Sequence, residues 1–289
     1  MSGGWRRGRC RKKVRYRMRI ITWNIRNATE KSSAWIFLAG LNPDIALLQE
    51  VRGIPAYIKE SFDFLPAISK TGKPQKLCAA ILVKGKIIND MPLRSEYDWV
   101  NREFDESFKG CFISCIAQLQ NQKPIKVVSV YSPASPIKKE RLEGMDVSQV
   151  KLKLNPKVWG SEIIWSALKN TKSDNERWVV GGDYNSSETF DVEWQKEHQK
   201  RFGIQSHGNK EILDRMRNLG FIECLREHSN KITPTFKDPR GNLYHQMDHL
   251  FVTNDLYSTI QGCEVGNRSV VFNKSLSDHL PIIADFNNK

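Results

Sequence analysis

Cysteine is scarce in this chain and lacks the spacing of a metal site. No Cys-x-x-Cys pair and no cluster of cysteine and histidine with zinc-ligand spacing occurs among the six cysteines, Cys10, Cys78, Cys111, Cys115, Cys224 and Cys263. Four of them lie inside apolar runs, which is typical of buried, reduced thiols rather than of a disulfide framework. We therefore expect no structural zinc and an intracellular, reducing location, either cytoplasmic or with the nucleoid or nucleus.

Long apolar runs are also missing. No stretch approaches the ~20 residues that a membrane-spanning helix needs, and no apolar segment of a secretory signal follows the basic N-terminal stretch. Residues 20–289 contain no linker rich in Gly, Ser or Pro and no simple repeat. These absences predict one domain over residues 19–289 and no membrane partner.

Acidic residues are absent from the first 19 positions, which carry nine of the 45 Arg and Lys residues. The rest of the chain has 36 basic against 32 acidic residues, so it supplies only +4 of the net charge of +13. Residues 1–18 are therefore interpreted as a basic, disordered leader. Two explanations stay open: an arm that contacts phosphates, or a segment that is not translated because Met18 is the true start.

Short apolar, β-branched segments alternate with helical patterns after the leader. Strands are predicted at 19–25, 44–51, 77–85, 86–90, 111–120, 124–133, 177–185, 245–253, 263–272 and 280–286, and helices at 30–41, 161–170 and 211–220. Gly85 is interpreted as the turn of a hairpin, and Gly181-Gly182 as the turn that ends a strand. Because strand–helix–strand units coexist with hairpins, the pattern predicts an α/β fold with two mixed sheets packed face to face.

Acidic and amide side chains recur where these strands end. The candidates for a functional site are Asn24, Glu50, Tyr131, Asp183, Asn185, Asp248, Asp278 and His279. Strand ends at one rim of a sandwich converge, so these groups can form an oxygen-rich pocket of the kind that suits Mg²⁺. Taken singly, each has a simpler explanation as a turn, a helix cap or a solvated strand end.

The order of these residues adds a second argument. The segments Trp23-Asn24, 43–50 (PDIALLQE), 182–185 (GDYN), 247–249 (MDH) and 277–282 (SDHLPI) resemble the endonuclease/exonuclease/phosphatase superfamily over residues 19–289. The resemblance implies the DNase I-like fold, a four-layer α/β/β/α sandwich, and a metal-dependent phosphoesterase.

The resemblance also implies roles for the candidate residues. Glu50, with Asn24 and Asp278, is expected to bind Mg²⁺, for which Mn²⁺ is a possible substitute. Asp183 is expected to orient or deprotonate the attacking water. Asn185 and His279 are expected to contact the phosphate, with Asp248 holding the His279 ring.

Tyr131 favours one branch of this superfamily. A tyrosine followed closely by proline, as in 129–133 (SVYSP), is similar to exonuclease III, apurinic-site endonucleases and retrotransposon endonucleases. The favoured function is a DNA endonuclease or exonuclease, with nucleic acid, most simply DNA, as partner. A phosphatase or phosphodiesterase acting on RNA, a lipid headgroup or a small phosphoester is the alternative, and a catalytically inactive binding protein is a third.

Two further features weaken or leave open a DNA-lesion function. Before Asp248, the aromatic residues Phe236 and Tyr244 alternate with Lys237 and His245, so a dedicated pocket for a flipped abasic sugar is not expected. A group of basic residues can flank a phosphate backbone, although surface solubility explains it more simply: Lys138, Lys139, Arg141, Lys196, Lys200 and Arg201.

Overall fold

Two six-stranded sheets form the centre of the computed structural model, which describes residues 17–67, 78–193, 196 and 208–287. The strands are β1 Arg17–Ala28, β2 Ile45–Val51, β3 Asp63–Pro66, β4 Cys78–Val83, β5 Lys86–Asp90, β6 Phe112–Gln118, β7 Ile125–Tyr131, β8 Trp178–Asp183, β9 Phe221–Glu223, β10 Phe236–Lys237, β11 Leu243–His245, β12 Asp248–Thr253, β13 Ile260–Val265 and β14 Ile282–Asn287. The labelled helices are α1 Ala34–Leu41, α2 Ala56–Ser61, α3 Asp98–Glu106, α4 Gly160–Thr171, α5 Asn209–Asn218, α6 Cys224–Ser229, α7 Asn254–Tyr257 and α8 Arg268–Asn273, with a 3₁₀ turn at Lys139–Leu142.

Both sheets are mixed, as predicted. The first has the order β13-β14-β1-β2-β4-β3 and the second the order β5-β6-β7-β8-β12-β9, while β10 and β11 form a separate hairpin. In each large sheet one central pair is parallel, β1 with β2 and β7 with β8, and the other pairs are antiparallel. Parallel central strands place their carboxyl ends at the same rim, and this is where the polar candidates lie.

Three apolar layers hold the sandwich together. Strand β2 shows the division, since Ile45 and Leu47 join the cluster between the sheets whereas Ala46 and Leu48 pack towards α1 and α2. A third cluster joins the other face of the second sheet to α3, α4 and α5. Strands buried on both faces explain the continuous apolar runs in the sequence, and the layers confirm the α/β/β/α arrangement.

The predicted hairpin at Gly85 is wrong. Strand β4 belongs to the first sheet and β5 to the second, so residues 84–85 carry the chain from one sheet to the other. A Cβ atom at Gly85 would lie 2.3 Å from the Gln118 carbonyl oxygen. Glycine is therefore needed for close approach at the crossing and does not mark a turn within one sheet.

The Gly181-Gly182 turn is also wrong, because both glycines lie inside β8. A Cβ atom at Gly182 would come within 1.8 Å of the Val130 carbonyl oxygen of β7. At Gly181 it would meet side-chain atoms of Leu47 and Leu250 at 2.9 Å each. Gly182 thus lets β7 and β8 approach within the second sheet, and Gly181 also makes room for Leu47 of the first sheet, directly below the polar rim.

Only the first three residues of the predicted strand 263–272 lie in a strand. Strand β13 ends at Val265, and residues 268–273 form helix α8 instead. The Asn267 side chain caps this helix by accepting from the Val270 backbone N–H at 3.2 Å, and Val271 is fully buried. Capping and burial outweigh the β preference of two adjacent valines.

The other predicted elements match within a few residues, with two boundary differences. Strand β1 begins at Arg17, two residues before the prediction, and residues 1–16 of the predicted leader lie outside the described residues. Helix α1 starts at Ala34 rather than at 30. Cys78, Cys111, Cys115, Cys224 and Cys263 are all buried, as expected for thiols in apolar strands, while Cys10 is outside the described range. Within the part of the chain that the structure describes, none of the helices has the length and apolarity to cross a bilayer.

Candidate functional site

Three acidic or phenolic residues share one row across the second sheet. Tyr131 at the end of β7 pairs in register with Asp183 at the end of β8, and Asp183 pairs with Asp248 at the start of β12. Directly opposed residues on neighbouring strands have adjacent side chains. The sheet register therefore assembles residues that are more than 50 positions apart in the sequence.

Asn24 joins this row to the first sheet. Its amide Nδ2 donates to Glu50 Oε1 at 3.2 Å and to Asp183 Oδ2 at 3.0 Å. Asn24 is only 1 % exposed, so these bonds are shielded from water. Glu50 and Asp183, from different sheets, are thus tied to the same amide group.

His279 reaches the same carboxylate from the opposite side. Its Nδ1 lies 2.8 Å from Asp248 Oδ2, and its Nε2 lies 3.9 Å from Asp183 Oδ2. Burial alone would lower the pKa of His279, but Asp248 and Asp183 outweigh it and raise that pKa to about 10. His279 is therefore an imidazolium at neutral pH, held between two carboxylates.

Backbone contacts fix the segment that carries His279. The Trp23 indole Nε1–H donates to the His279 carbonyl oxygen at 2.8 Å. The Ser277 hydroxyl donates to the Asn24 carbonyl oxygen at 2.7 Å and accepts from the His279 N–H at 3.0 Å. These bonds connect the 277–282 motif to the Trp23-Asn24 motif, which explains why both belong to one sequence signature.

Asn185 is held against Asp183 by a tight turn. Its N–H donates to Asp183 Oδ1 at 2.9 Å, and its side-chain Nδ2 donates to Asp183 Oδ2 at 3.2 Å and to the Ser132 carbonyl oxygen at 2.8 Å. Burial raises the pKa of Asp183, the His279 imidazolium lowers it and Asp248 raises it again, with a net upward shift. The amide donors of Asn24 and Asn185 favour its ionised form.

Tyr131 faces the Glu50 side of the site. Burial first, and then the charges of Glu50 and Asp183, raise the pKa of its phenol above the ordinary value. Tyr131 is 8 % exposed and stays protonated at any physiological pH. A protonated phenol at this position can donate a hydrogen bond or a proton.

Glu50 sits in a strained backbone conformation. Its φ of +58° is left-handed, and the pairing register of β2 with β4 shifts between Leu48 and Val51 around it. A non-glycine residue in this conformation costs about 1–3 kcal/mol and is kept only where surrounding structure enforces it. The irregularity turns the Glu50 carboxylate towards Asn24 and also towards Asn27, whose Nδ2 donates to Glu50 Oε2 at 3.0 Å.

Asp278, like Glu50, is a partly exposed carboxylate of the site. Its side chain is 30 % exposed, and its Oδ2 lies 3.4 Å from Nε of Arg26. The link to the rest of the site runs through Ser277, which contacts Asn24. All eight residues predicted from the sequence therefore lie in one connected cluster.

The cluster has the composition of a cation site. Donor atoms of Asp183, Asp248 and His279 lie within 4.8 Å of one another, a spacing that can hold a metal ion if His279 loses its extra proton. Beside Glu50, the buried carbonyl oxygen of the Asn27 side chain has no hydrogen-bond partner, and neither has Asp248 Oδ1. Unsatisfied buried oxygens next to several carboxylates fit a hard divalent cation.

Sequence reasoning missed a buried group behind Asn185. His249 places Nδ1 3.3 Å from Glu223 Oε1 and Nε2 3.0 Å from the Ser186 carbonyl oxygen. Gln246 Nε2, a donor, lies 3.4 Å from the same Nδ1. Burial lowers the pKa of His249, but Glu223 outweighs it and raises that pKa above the ordinary value. His249 adjoins the motif residue Asp248, but no local signal in the sequence pointed to Glu223.

Arg26 and Asn27 were missed as well. Both follow Asn24 closely and have left-handed φ values of +46° and +56°. The register of β1 with β2 shifts between Asn24 and Ala28, and this irregularity brings their side chains back to the site. The sequence pattern of a regular strand ending at Asn24 gave no indication of it.

The aromatic residues before Asp248 have separate surroundings. Phe236 packs against the His279 ring with 4.8 Å between ring centroids, and His245 stacks on Phe190 at 4.1 Å. Tyr244 is 58 % exposed. Phe236 therefore contacts the candidate site through His279, whereas Tyr244 is exposed to solvent.

Among the predicted basic residues, Arg141 pairs with Glu103 at 2.8 Å and Glu106 at 2.6 Å. This supports a structural role for Arg141 rather than a phosphate contact. Lys200 and Arg201 lie outside the described residues.

Comparison with solved structures places the fold. An AP endonuclease from Archaeoglobus fulgidus aligns with a TM-score of 0.65 and 20% identity, covering 93% of this chain and 99% of its own. A 3′ phosphatase from Neisseria, NExo, bound to product DNA hairpin, aligns with a TM-score of 0.64 and 17% identity over 93% of this chain and 99% of its own. The endonuclease domain of TRAS1, a telomere-specific non-LTR retrotransposon, aligns with a TM-score of 0.54 and 18% identity over 93% and 98%.

No protein-family model matches the chain, and no curated protein matches it. The structural similarities confirm the predicted DNase I-like fold, with two large mixed sheets between layers of helices. At these low identities they concern the fold, and the chemistry has to be argued from the residues of the site.

Proposed function

We propose that this protein is a metal-dependent phosphodiester hydrolase that cleaves DNA as an endonuclease or exonuclease. The observation that carries the proposal is the continuous set of contacts from Glu50 through Asn24 and Asp183 to His279 and Asp248. It combines carboxylates, amide donors and a charged imidazole around one open rim. Phosphoryl transfer needs this combination, since it depends on positioning and charge stabilisation.

Glu50, Asn24 and Asp278 are the residues that would hold the divalent cation, Mg²⁺ or Mn²⁺. Their oxygen donors and the unpartnered carbonyl oxygen of Asn27 match the ligand preference of either ion. When bound, such an ion supplies Lewis-acid stabilisation of charge on a phosphoryl oxygen. The left-handed backbone at Glu50 and the amides of Asn24 and Asn27 keep the main carboxylate in place.

Asp183 is assigned to the attacking water. Two side-chain amides and one backbone N–H fix its carboxylate, so its remaining lone pairs have a defined direction. A carboxylate fixed in this way can orient a water molecule and take its proton as the oxygen attacks phosphorus.

Three donors are assigned to the phosphate. The His279 imidazolium, aligned by Asp248, donates to a non-bridging oxygen on which negative charge grows. The amide of Asn185 donates to the phosphate by exchanging its 3.2 Å contact with Asp183 Oδ2 for a phosphate oxygen. The protonated phenol of Tyr131 donates to the scissile phosphate or to the leaving oxygen. Each group is held by contacts that exist before any substrate binds, which limits the reorganisation during reaction.

DNA is favoured as the substrate for two reasons. Tyr131 at this strand end resembles the nuclease branch identified from the sequence. Solved structures with the same fold include an AP endonuclease, and a 3′ phosphatase bound to a DNA hairpin. A phosphatase or phosphodiesterase acting on RNA, a lipid headgroup or a small phosphoester uses the same chemistry and is the alternative.

The test is nicking of supercoiled plasmid by the purified full chain, with Mg²⁺ and with a chelator. We expect nicking that needs the metal and disappears in the Asp183→Ala variant, whereas replacement of the exposed His228 by alanine has no effect. Absence of nicking by folded wild-type protein would reject an endonuclease, and absence of nucleotide release from a linear duplex as well would reject a DNA nuclease. Release of phosphate or cleavage in a panel of RNA, inositol phosphate and nucleotide substrates would then identify the alternative.

A further inference from the structure

Arg26 is a cation placed at the open edge of the site. Its Nε lies 3.4 Å from Asp278 Oδ2, and its side chain is 57% exposed against 30% for Asp278. Its backbone N–H donates to Asn24 Oδ1 at 3.0 Å, and its φ is +46°. The backbone of Arg26 is therefore anchored to a proposed metal ligand, whereas its guanidinium extends into solvent.

Charge in the site is unevenly balanced. Among the described residues, Asp183 and Asp248 form ion pairs only with His279, Asp278 only with Arg26, and Glu50 with none. His279 is 5% exposed and enclosed between Asp183 and Asp248. Arg26 is thus the one partner in these pairs whose charge an approaching anion can reach.

The present partner of Arg26 is a weak one. A single contact between exposed side chains contributes little in water, and it leaves most guanidinium N–H groups without an acceptor from the site. A guanidinium also matches two oxygens of one phosphate group, and this bidentate contact is stronger than a single bond to an exposed carboxylate.

The two ligands proposed for this rim, a divalent cation and a phosphate diester, interact with the Arg26 charge in opposite ways. A divalent cation at Asp278 is repelled by the guanidinium beside it, while a phosphate diester is attracted. If the guanidinium leaves Asp278 and contacts the phosphate, the repulsion of the cation falls and the attraction of the phosphate is used. The exposed side chain and fixed backbone of Arg26 allow this change without movement of the strand.

We propose that Arg26 is a phosphate-contacting residue that pairs with Asp278 in the absence of metal and with a non-bridging oxygen of the nucleic-acid backbone when metal and substrate are bound. The inference rests on the proposed function, because it names a further residue that binds the same substrate. It predicts that removal of the Arg26 side chain strengthens metal binding but weakens nucleic-acid binding, and a purely structural role would not produce both effects.

The first measurement is Mn²⁺ affinity in the absence of nucleic acid, by electron paramagnetic resonance of the free ion. Arg26→Ala should bind Mn²⁺ about 2–5-fold more tightly than wild type, the scale of an exposed ion pair. Arg26→Lys keeps the charge and should stay near the wild-type value. Arg94→Ala removes a comparable exposed pair with Asp105, at 3.1 Å, on the segment before α3, and is the matched control.

The second measurement is cleavage of a duplex oligonucleotide at saturating Mg²⁺, supported by fluorescence anisotropy of the same duplex in the Asp183→Ala background. Arg26→Ala should lower kcat/KM about 10–100-fold, mainly through KM, as expected for loss of a hydrogen bond to a charged group. Arg26→Lys should recover part of this loss, and Arg94→Ala should lose nothing.

The outcomes separate this inference from the proposed function. If wild type cleaves DNA but Arg26→Ala keeps its duplex affinity and KM, Arg26 makes no phosphate contact and the inference is wrong. Weaker Mn²⁺ binding in Arg26→Ala would also overturn it, since Arg26 would then support the metal ligands. If wild type cleaves no nucleic acid, the proposed function fails, and the phosphate role of Arg26 fails with it.

Discussion

The site has two halves that differ in whether the fold itself supplies charge partners for their carboxylates. In the inner half, Asp183 and Asp248 are buried and enclose the His279 imidazolium. In the outer half, Glu50 and Asp278 are partly exposed, and Arg26 is the solvent-reaching cation. The inner half has its charge partner within the fold, whereas the outer half has open acceptors that need a partner from outside.

The backbone shows the same division. Asp183 and Asp248 lie at the ends of regular, register-matched strands. Arg26, Asn27 and Glu50 all have left-handed φ values at two strand irregularities. Regular pairing thus positions Asp183 and Asp248, whereas local strain positions Glu50, Arg26 and Asn27.

Removal of inner-half residues should give the largest effects. Asp183→Ala and His279→Ala are each expected to lower kcat for DNA cleavage about 10²–10⁴-fold, the usual scale for acid–base and electrostatic groups. Their effects on thermal stability should differ in sign. Asp183→Ala removes a carboxylate whose burial raises its pKa, so stability rises, while His279→Ala leaves Asp248 buried without its cation, so stability falls.

Cleavage assays and thermal unfolding by circular dichroism, with His228→Ala as control, test both statements. Full activity in either variant would show that the assigned roles are wrong. A fall in stability for both variants would show that the inner half acts as a packing unit rather than as a charge-balanced one.

Loss of the Glu50 carboxylate should give an effect of intermediate size, on metal affinity. Loss of a residue that only hydrogen-bonds to a metal ligand lowers metal affinity about 10–100-fold. Glu50→Gln removes the charge of a proposed ligand itself, so it should reach the upper end of that range. Mn²⁺ titration measures it. Glu30→Gln is the control, because the Glu30 side chain is 64% exposed and pairs only loosely with Lys59 at 3.9 Å. Equal Mn²⁺ affinities for Glu50→Gln and wild type would place the ion elsewhere, with the Asp183, Asp248 and His279 group as the next candidate.

The smallest effect is expected behind the inner half, at His249. Its pKa is raised in the folded protein, so its contribution to stability is complete below about pH 6.5 and is lost as pH rises through the folded pKa. His249→Gln should therefore lower the free energy of unfolding near pH 6, and each kcal/mol of that loss should lower Tm by about 2–4 °C. The difference from wild type should shrink towards pH 9.

Melting curves at several pH values test this prediction, and subtraction of the variant from wild type cancels the other histidines. A constant difference across the range would show that His249 is neutral in the fold. In that case Ser186 or Glu223 would lack a donor from the ring.

The sequence was sufficient to predict the four layers of the fold and most residues that lie together in the candidate site. Residues such as Asp183 and His279 lie at ends of strong apolar strands, and ordered motifs specify which ends meet. Local pattern could not distinguish a turn within a sheet from the crossing between sheets at Gly85, since both need a glycine between two apolar segments. Arg26, Asn27 and His249 were missed for a related reason: their positions depend on strand irregularities and on a partner, Glu223, distant in the sequence.

The crossing at Gly85 has a consequence for biosynthesis. All strands of the second sheet come from the continuous segment 86–253, whereas the first sheet combines 17–83 with 260–287. During synthesis the second sheet can therefore form while the first still lacks β14, the antiparallel neighbour of β1. Asp278 and His279 are synthesised after every strand of the second sheet. A nascent chain that has not reached these two residues therefore lacks part of the candidate site, even when its second sheet can already form.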